Sequence, residues 1–177
     1  MINGKFVPLG LLIGLALAGC GPSGNEELAA TYCPNPFAVG DAEQLTRFKP
    51  GPGRDPRDIV FEAVIGGATT ACAFRKTDME VDLQLRVAVN AGPSVTGGVT
   101  HVPYFVRILG ANDQVVQGQE FNADFRLSPS SPRGQSLEKL TLRLPFNKMS
   151  DVAKYRIAVG LMPTQEELEY NRRTAGR

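Results

Sequence analysis

The stretch MEVDLQLRVAV (residues 79–89) decides the fold. Hydrophobic side chains occupy every odd position from Met79 to Val89, and polar or small side chains occupy the even positions between them. Because successive residues of a β-strand point to opposite faces, a period of two is typical of a half-buried strand. The stretch therefore predicts a strand with one face in a hydrophobic core and the other in solvent.

The same alternation recurs on both sides of this stretch. Residues 60–65 and 68–74 flank Gly66-Gly67, a pair typical of a two-residue hairpin turn. Further strands are predicted at residues 102–108, 114–119, 121–127, 140–146 and 155–161, with breaks at residues 110–113 and 128–134. About seven short strands without a long helix between them predict an all-β antiparallel sandwich over residues 58–162.

The segment DVAKYRI (residues 151–157) resembles the D-x-A-x-Y-x-C stretch of immunoglobulin domains, where the chain enters strand F. The resemblance implies that Tyr155 is a corner tyrosine whose hydroxyl binds nearby backbone. Ile157 stands where those domains carry a cysteine, and tryptophan is absent, so the usual disulfide and its tryptophan are missing. An immunoglobulin-like sandwich is expected, but this topology implies no particular activity.

The amino terminus predicts export. The uncharged run FVPLGLLIGLALA (residues 6–18) has the length of a signal-peptide core and is too short to span a bilayer as a helix. It ends in Leu17-Ala18-Gly19-Cys20, which resembles the lipobox of bacterial lipoproteins. The resemblance implies that residues 1–19 are removed and that Cys20 is acylated, which anchors the protein in the lipid bilayer. Gly21 stands where aspartate would imply the inner membrane, so the expected location is the outer membrane, facing the periplasm.

Residues 20–57 are predicted to form a tether and a pinned loop. Cys33 and Cys72 are expected to form a disulfide in the oxidising space outside the cytosol, the alternative being two free thiols. Such a bond closes a loop of about 40 residues, for which the chain-entropy model gives roughly 4 kcal/mol. Four basic residues from Arg47 to Arg57 indicate either a solvated loop, which the interleaved acids favour, or an anion site.

Composition narrows the function classes. Removing residues 1–19 takes away Lys5 and no acidic residue, which leaves 18 basic and 18 acidic side chains and gives no net field to attract nucleic acid. Asp78, Glu80 and Asp82 share a strand face at a spacing too wide for one calcium ion. Tryptophan is absent and His101 is the single histidine. Without a recognised catalytic motif, we expect no cofactor, no metal and no enzymatic activity.

Residues 163–177 are predicted to form a short surface helix, from Gln165 to about Arg173, and a tail. Thr164 and Glu167 fit a capping box, arginines fill the last turn, and Glu169 is placed to pair with Arg173. Since few of its residues are apolar, the helix is predicted to contact a partner protein through Glu166, Glu167, Glu169, Tyr170, Arg172 and Arg173. The ending GLMPTQEELEYNRR is similar to the close of small envelope lipoproteins of Gram-negative bacteria, which implies no established activity.

The leading hypothesis is a non-enzymatic envelope module that binds another envelope protein or stabilises a complex. One alternative is a carbohydrate or small-ligand binder, which requires exposed aromatic rings such as Tyr104 and Phe105. A second is a hydrolase with an unfamiliar site around His101. A third is a chaperone or inhibitor that uses a sandwich edge for strand addition, which requires an uncovered edge.

Overall fold

Two four-stranded sheets face each other in the computed structural model, which describes residues 31–51 and 54–175. The predicted signal peptide and Cys20 lie outside the described residues. The strands are β1 (Pro36–Ala38), β2 (Gln44–Phe48), β3 (Ile59–Phe74), β4 (Asp78–Ala91), β5 (Gly98–Leu109), β6 (Val115–Leu127), β7 (Arg133–Pro145) and β8 (Arg156–Leu161). Two helices, α1 (Met149–Val152) and α2 (Gln165–Ala175), flank β8. The all-β sandwich with a short carboxy-terminal helix is therefore confirmed.

The strand order is immunoglobulin-like. One sheet has the order β2-β3-β4-β7 and the other β1-β8-β5-β6. Taking β3 as strand A, the chain follows the immunoglobulin path through B, C, C′, E and F in β4, β5, β6, β7 and β8. The position of strand G, beside F, is occupied by β1, which runs parallel to β8. This parallel pair is the exception to the antiparallel pairing that the sequence predicted.

The core lies between the sheets and follows the predicted alternation. On β4, Met79, Val81, Leu83, Leu85 and Val87 have no exposed surface, while the residues between them face outward. Val102, Tyr104, Val106 and Ile108 of β5 oppose them and are at most 2% exposed. Burying a large aliphatic side chain contributes about 1.5–3 kcal/mol, so these two strands supply a central part of the fold's stability.

The predicted hairpin at Gly66-Gly67 is wrong. The two predicted strands form one strand, β3, which pairs with β4 along nearly its whole length. The register shifts between Ile65 and Gly67, and Gly67 has a φ of 136°, a value that favours glycine. The glycines therefore form a β-bulge, which bends a strand without reversing it.

The sandwich begins before residue 58. Strands β1 and β2 lie within the predicted tether and loop, and each adds an outer strand to one sheet. The Cys33–Cys72 disulfide is formed, as predicted, with the two Cα atoms 5.6 Å apart. Its position three residues before Pro36 ties the start of β1 to β3. The disulfide thus fixes the amino-terminal strand to the sandwich rather than pinning a loop.

The corner tyrosine is present. The Tyr155 hydroxyl donates a hydrogen bond to the Pro145 carbonyl oxygen at 2.8 Å, which joins the end of β7 to the start of β8 across α1. At the opposite end of the sandwich, Gly92 lies so close to the Ile59 carbonyl that a Cβ atom would stand 2.2 Å from its oxygen. Neither helix, nor any other helical segment of the described chain, is long and apolar enough to cross a membrane.

Candidate functional site

The carboxy-terminal helix docks on the chain's own β2. Glu167 is 3% exposed, and its Oε1 lies 3.2 Å from the Arg47 Nε. The ring of Tyr170 meets that of Phe48 edge-on, with the centroids 4.9 Å apart. The Asn171 side chain donates to the Gln44 carbonyl oxygen at 3.0 Å. The helix therefore closes one side of the sandwich.

The predicted contact residues of α2 divide into two groups. Glu167 and Tyr170 face the domain, Arg172 pairs with Asp41, and Glu166 is exposed but pairs with Arg54. Glu169 and Arg173 remain exposed, and the described chain shows no ion pair between them; Glu169 accepts a hydrogen bond from Gln165 instead. The predicted capping box is present, because Glu167 accepts from the Thr164 backbone N–H at 2.8 Å. Partner contact through this helix stays a prediction, and its outward surface is smaller than expected.

The basic loop is neutralised. Each of its cations meets a carboxylate: Lys49 pairs with Asp58, Arg57 with Asp55, and the remaining two, Arg47 and Arg54, with glutamates of α2. Hydrogen bonds from Arg57 lower the pKa of Asp55 to about 2. The loop thus joins α2 to the sandwich and leaves no cluster of free cations for an anion.

The aromatic and acidic candidates are spread over the sandwich. Tyr104 is 1% exposed, and its hydroxyl lies 3.3 Å from a Glu138 oxygen; burial and this carboxylate raise the pKa of Tyr104. Phe105 is half-buried beneath the Arg107 guanidinium, 5.1 Å from the ring centroid. The exposed His101 lies 2.7 Å from Asp124 on the solvent face. These positions remove Tyr104 as an exposed ligand-stacking ring and leave His101 beside a carboxylate in water.

A cleft of about 650 Å³ opens at one end of the sandwich. Three chain segments from different parts of the sequence form it: the β3–β4 turn, the β5–β6 turn and the segment from β7 to β8. Its lining comprises Thr77, Asp78, Gly110, Ala111, Gln114, Val116, Pro145, Phe146, Asn147, Asp151, Lys154 and Tyr155. The volume lies within the range of small-molecule sites, and the lining mixes aromatic surface with polar groups.

Most polar groups of the cleft are already engaged. Lys154 donates to the Asp151 Oδ1 at 2.8 Å, and this hydrogen bond lowers the pKa of Asp151. The Tyr155 hydroxyl is used in the corner. Asp78 differs, because its Oδ1 is buried and has no hydrogen-bond partner among the described residues. An unsatisfied buried carboxylate oxygen costs free energy, so Asp78 is the group in this cleft that a donor from outside would stabilise.

One exposed valine lines the cleft, and a second precedes it in the chain. Val115 and Val116 are 59% and 51% exposed, and they begin β6, whose first six residues are exposed on both faces. This part of β6 extends beyond the cover of the opposite sheet. Because Val116 and Asp78 line the same cleft, this end of the sandwich is the strongest candidate for recognition.

The two edge strands on the side opposite α2 differ in protection. In the described chain, β6 and β7 each pair with one neighbour only. On β6, the Arg107 side chain crosses Gly118 and donates to the Gln119 carbonyl oxygen and the Glu120 carboxylate. A charged side chain over an edge opposes strand addition. On β7, the Phe125 ring of β6 lies against Gly134 near the start of the strand, and no charged side chain of the described residues hydrogen-bonds to the β7 backbone.

No group of three or more histidine, cysteine, aspartate or glutamate side chains in the described residues is arranged to hold a metal ion. Comparisons of the chain with family models, with curated proteins and with solved structures give no match. The cleft, its apolar rim and the edge strands β6 and β7 are therefore the features that bear on function. The cleft was not predicted from the sequence. The one sequence feature that points to it is the pair of adjacent apolar residues, Val115 and Val116, at the start of an otherwise polar strand segment.

Proposed function

We propose that the chain is a non-enzymatic lipoprotein of the outer membrane, facing the periplasm, that binds another envelope protein. The observation that carries this proposal is the end cleft, whose lining includes the exposed Val116, the neighbour of the exposed Val115, and Asp78, whose buried Oδ1 has no partner among the described residues. A partner segment that joins an apolar side chain to a lysine, arginine or amide donor fits this combination. The apolar part covers the valines, and the donor satisfies Asp78.

The tether supports this placement. The lipobox residues Leu17 to Cys20 carry the proposed lipid anchor, and the Cys33–Cys72 bond fits an oxidising compartment. Cys72 lies two residues before the end of β3, and that end borders the cleft. We infer a short tether between Cys20 and Cys33, because 12 residues of random coil would reach about 20 Å. The cleft is then held close to the membrane, which favours a partner that is itself membrane-bound.

The contacts of the cleft favour binding over catalysis. Asp151 and Lys154 neutralise each other, and Tyr155 is committed to backbone. In the described lining, the Thr77 hydroxyl donates only a long hydrogen bond of 3.5 Å to the Asp78 Oδ2, and no histidine lines the cleft to activate a nucleophile. Asp78 is thus a group for recognition rather than half of an acid–base pair.

Site-specific photo-crosslinking in the native host tests the proposal. A photoreactive residue at Val116 should give an adduct with a distinct envelope protein. The same residue at Ser130, an exposed position in the turn at the opposite end, should give none. A third probe at Arg173 tests the outward face of α2. Adducts at Arg173 alone, or equal adducts at all three positions, would contradict recognition by the cleft.

A matched pair of variants sharpens the result. Asp78→Ala should reduce the Val116 adduct about tenfold, since it removes a charge-assisted hydrogen bond of about 1.5 kcal/mol or more. Asp82→Ala lies on the same strand and removes the same charge, but Asp82 accepts from Thr141 away from the cleft. This control should leave the adduct unchanged.

The volume of the cleft supports a second candidate, a small-ligand binder. In that case, native mass spectrometry of gently extracted protein should show a bound molecule that carries a hydrogen-bond donor. The Asp78→Ala variant should lose that molecule. A protein adduct at Val116 without any bound molecule would favour the protein partner.

A further inference from the structure

Strand β7 has a long edge and carries an exposed apolar residue in its first half. It pairs with β4 from Arg133 to Pro145 and has no strand on its other side in the described chain. Leu137 is 48% exposed on the solvent face of this strand. On the inner face, the Ser136 Oγ is buried without a hydrogen-bond partner among the described residues. Glu138, two residues further on, accepts from Tyr104 through one oxygen only.

A second copy of β7 is a natural partner for such an edge. In a two-fold antiparallel pair, the residue at the centre faces itself, and residues equally far on either side face each other. Five registers, centred on residues 137 to 141, pair at least two thirds of the 13 residues. Three of them bring like charges together: Glu138 meets itself, Lys139 meets itself, or Lys139 meets Arg143. Like charges directly opposite are destabilising, which leaves the registers centred on Leu137 and Leu140.

Of these two registers, the one centred on Leu137 gives hydrogen-bond partners to more of the unpaired polar groups. It places Leu137 against its own copy and Gln135 against Lys139. It also sets Ser136 opposite Glu138, with Cβ atoms about 5 Å apart, so that a rotation of the serine lets its hydroxyl donate to the free glutamate oxygen. The register centred on Leu140 instead sets Leu137 opposite Arg143 and Glu138 opposite Leu142.

We propose that two copies of this chain associate through β7, antiparallel and centred on Leu137, to form one continuous sheet of eight strands. The orphaned Ser136 hydroxyl and the exposed Leu137 both find partners in this arrangement. The edge of β6 is less suited to pairing with another strand, because the Arg107 side chain already binds the Gln119 carbonyl oxygen and the Glu120 carboxylate there. This inference does not rest on the proposed partner protein, which binds elsewhere on the sandwich.

Cysteine crosslinking in host membranes tests the register with the full chain. Leu137→Cys should form a disulfide-linked dimer on mild oxidation, while the parent chain should not. Lys139→Cys is the matched control on the same face, because its copy lies about 13 Å away in this register, beyond the reach of a disulfide. Equal yields at both positions, or a dimer with Leu140→Cys alone, would overturn the proposal.

Sedimentation equilibrium of the purified full chain in density-matched detergent tests the association itself. The parent should sediment as a dimer, and Leu137→Asp should raise the dissociation constant at least about tenfold, because like charges then face each other at the centre. Gln117→Asp, an exposed position on β6, should leave the dimer intact. A parent monomer, or a Leu137→Asp variant that dimerises as tightly as the parent, would refute the idea. The Val116 crosslinking probe in the Leu137→Asp chain reports partner binding separately.

Discussion

Glu167 is the residue whose removal most sharply tests how α2 is held. The residue is 3% exposed, and its carboxylate contacts two groups, the Thr164 backbone N–H at 2.8 Å and the Arg47 Nε at 3.2 Å. The first contact completes a capping box, worth about 1 kcal/mol. The second is a charge-assisted pair, for which 1.5–3 kcal/mol is usual, reduced to about 1 kcal/mol because the Arg47 side chain is 31% exposed.

These values predict a graded series. Glu167→Ala should lower the free energy of unfolding by about 2 kcal/mol, since both contacts are lost. Glu167→Gln should cost only about 1 kcal/mol, because glutamine still accepts the N–H in a capping box. Glu169→Ala changes an exposed position one turn from the cap and should stay within about 0.5 kcal/mol of the parent. Urea unfolding followed by far-ultraviolet circular dichroism, with the disulfide intact, measures all three.

A double-mutant cycle isolates the pair. Combining Glu167→Ala with Arg47→Ala should cost less than the sum of the single changes, with a coupling of about 1 kcal/mol. A loss below about 0.5 kcal/mol for Glu167→Ala, or independent effects of the two changes, would refute the reasoning and show that the other contacts of α2 hold it.

Three further outcomes are expected. Replacing Cys33 and Cys72 by alanine should lower the free energy of unfolding by about 2–4 kcal/mol, measured by urea unfolding against the oxidised parent. The raised pKa of Tyr104 means that its contribution to stability is complete below the unfolded pKa of about 10 and is lost as pH rises above it, so Tyr104→Phe should flatten the alkaline loss of thermal stability. Gly92→Ala should destabilise by more than about 2 kcal/mol through a clash with backbone, while Gly40→Ala, which meets nothing within 4 Å, should be nearly neutral in thermal melts.

The sequence predicted best where one physical constraint acts alone. The alternation at residues 79–89 reflects a strand buried on one face, and β4 is that strand. The corner tyrosine was predictable because its hydrogen bond is local, from Tyr155 to Pro145. The Gly66-Gly67 pair was misread, because a glycine pair suits both a turn and a bulge. The choice depends on whether β4 continues past it, which is a long-range fact.

The parts that the sequence did not predict are assembled from distant segments. Strand β1 is three residues long and begins at Pro36, so it carries no periodic signal. The cleft joins three turns, and no single turn has a distinctive motif. The role of Glu167 was visible as a helix cap, but its burial depends on Arg47, far away in the chain. Contacts of this kind appear only once the sheets are assembled.

The parallel pairing of β1 with β8 has a consequence for how the molecule reaches its final form. Among the described residues, the first strand pairs with the last, so the sheet that contains both stays incomplete until β8 has been synthesised. Cys33 and Cys72 are both synthesised well before β8, so their bond can form while β1 still lacks its partner strand. The Cys33–Cys72 bond would hold β1 close to the sandwich before β8 forms and would lower the entropy cost of pairing β1 with β8.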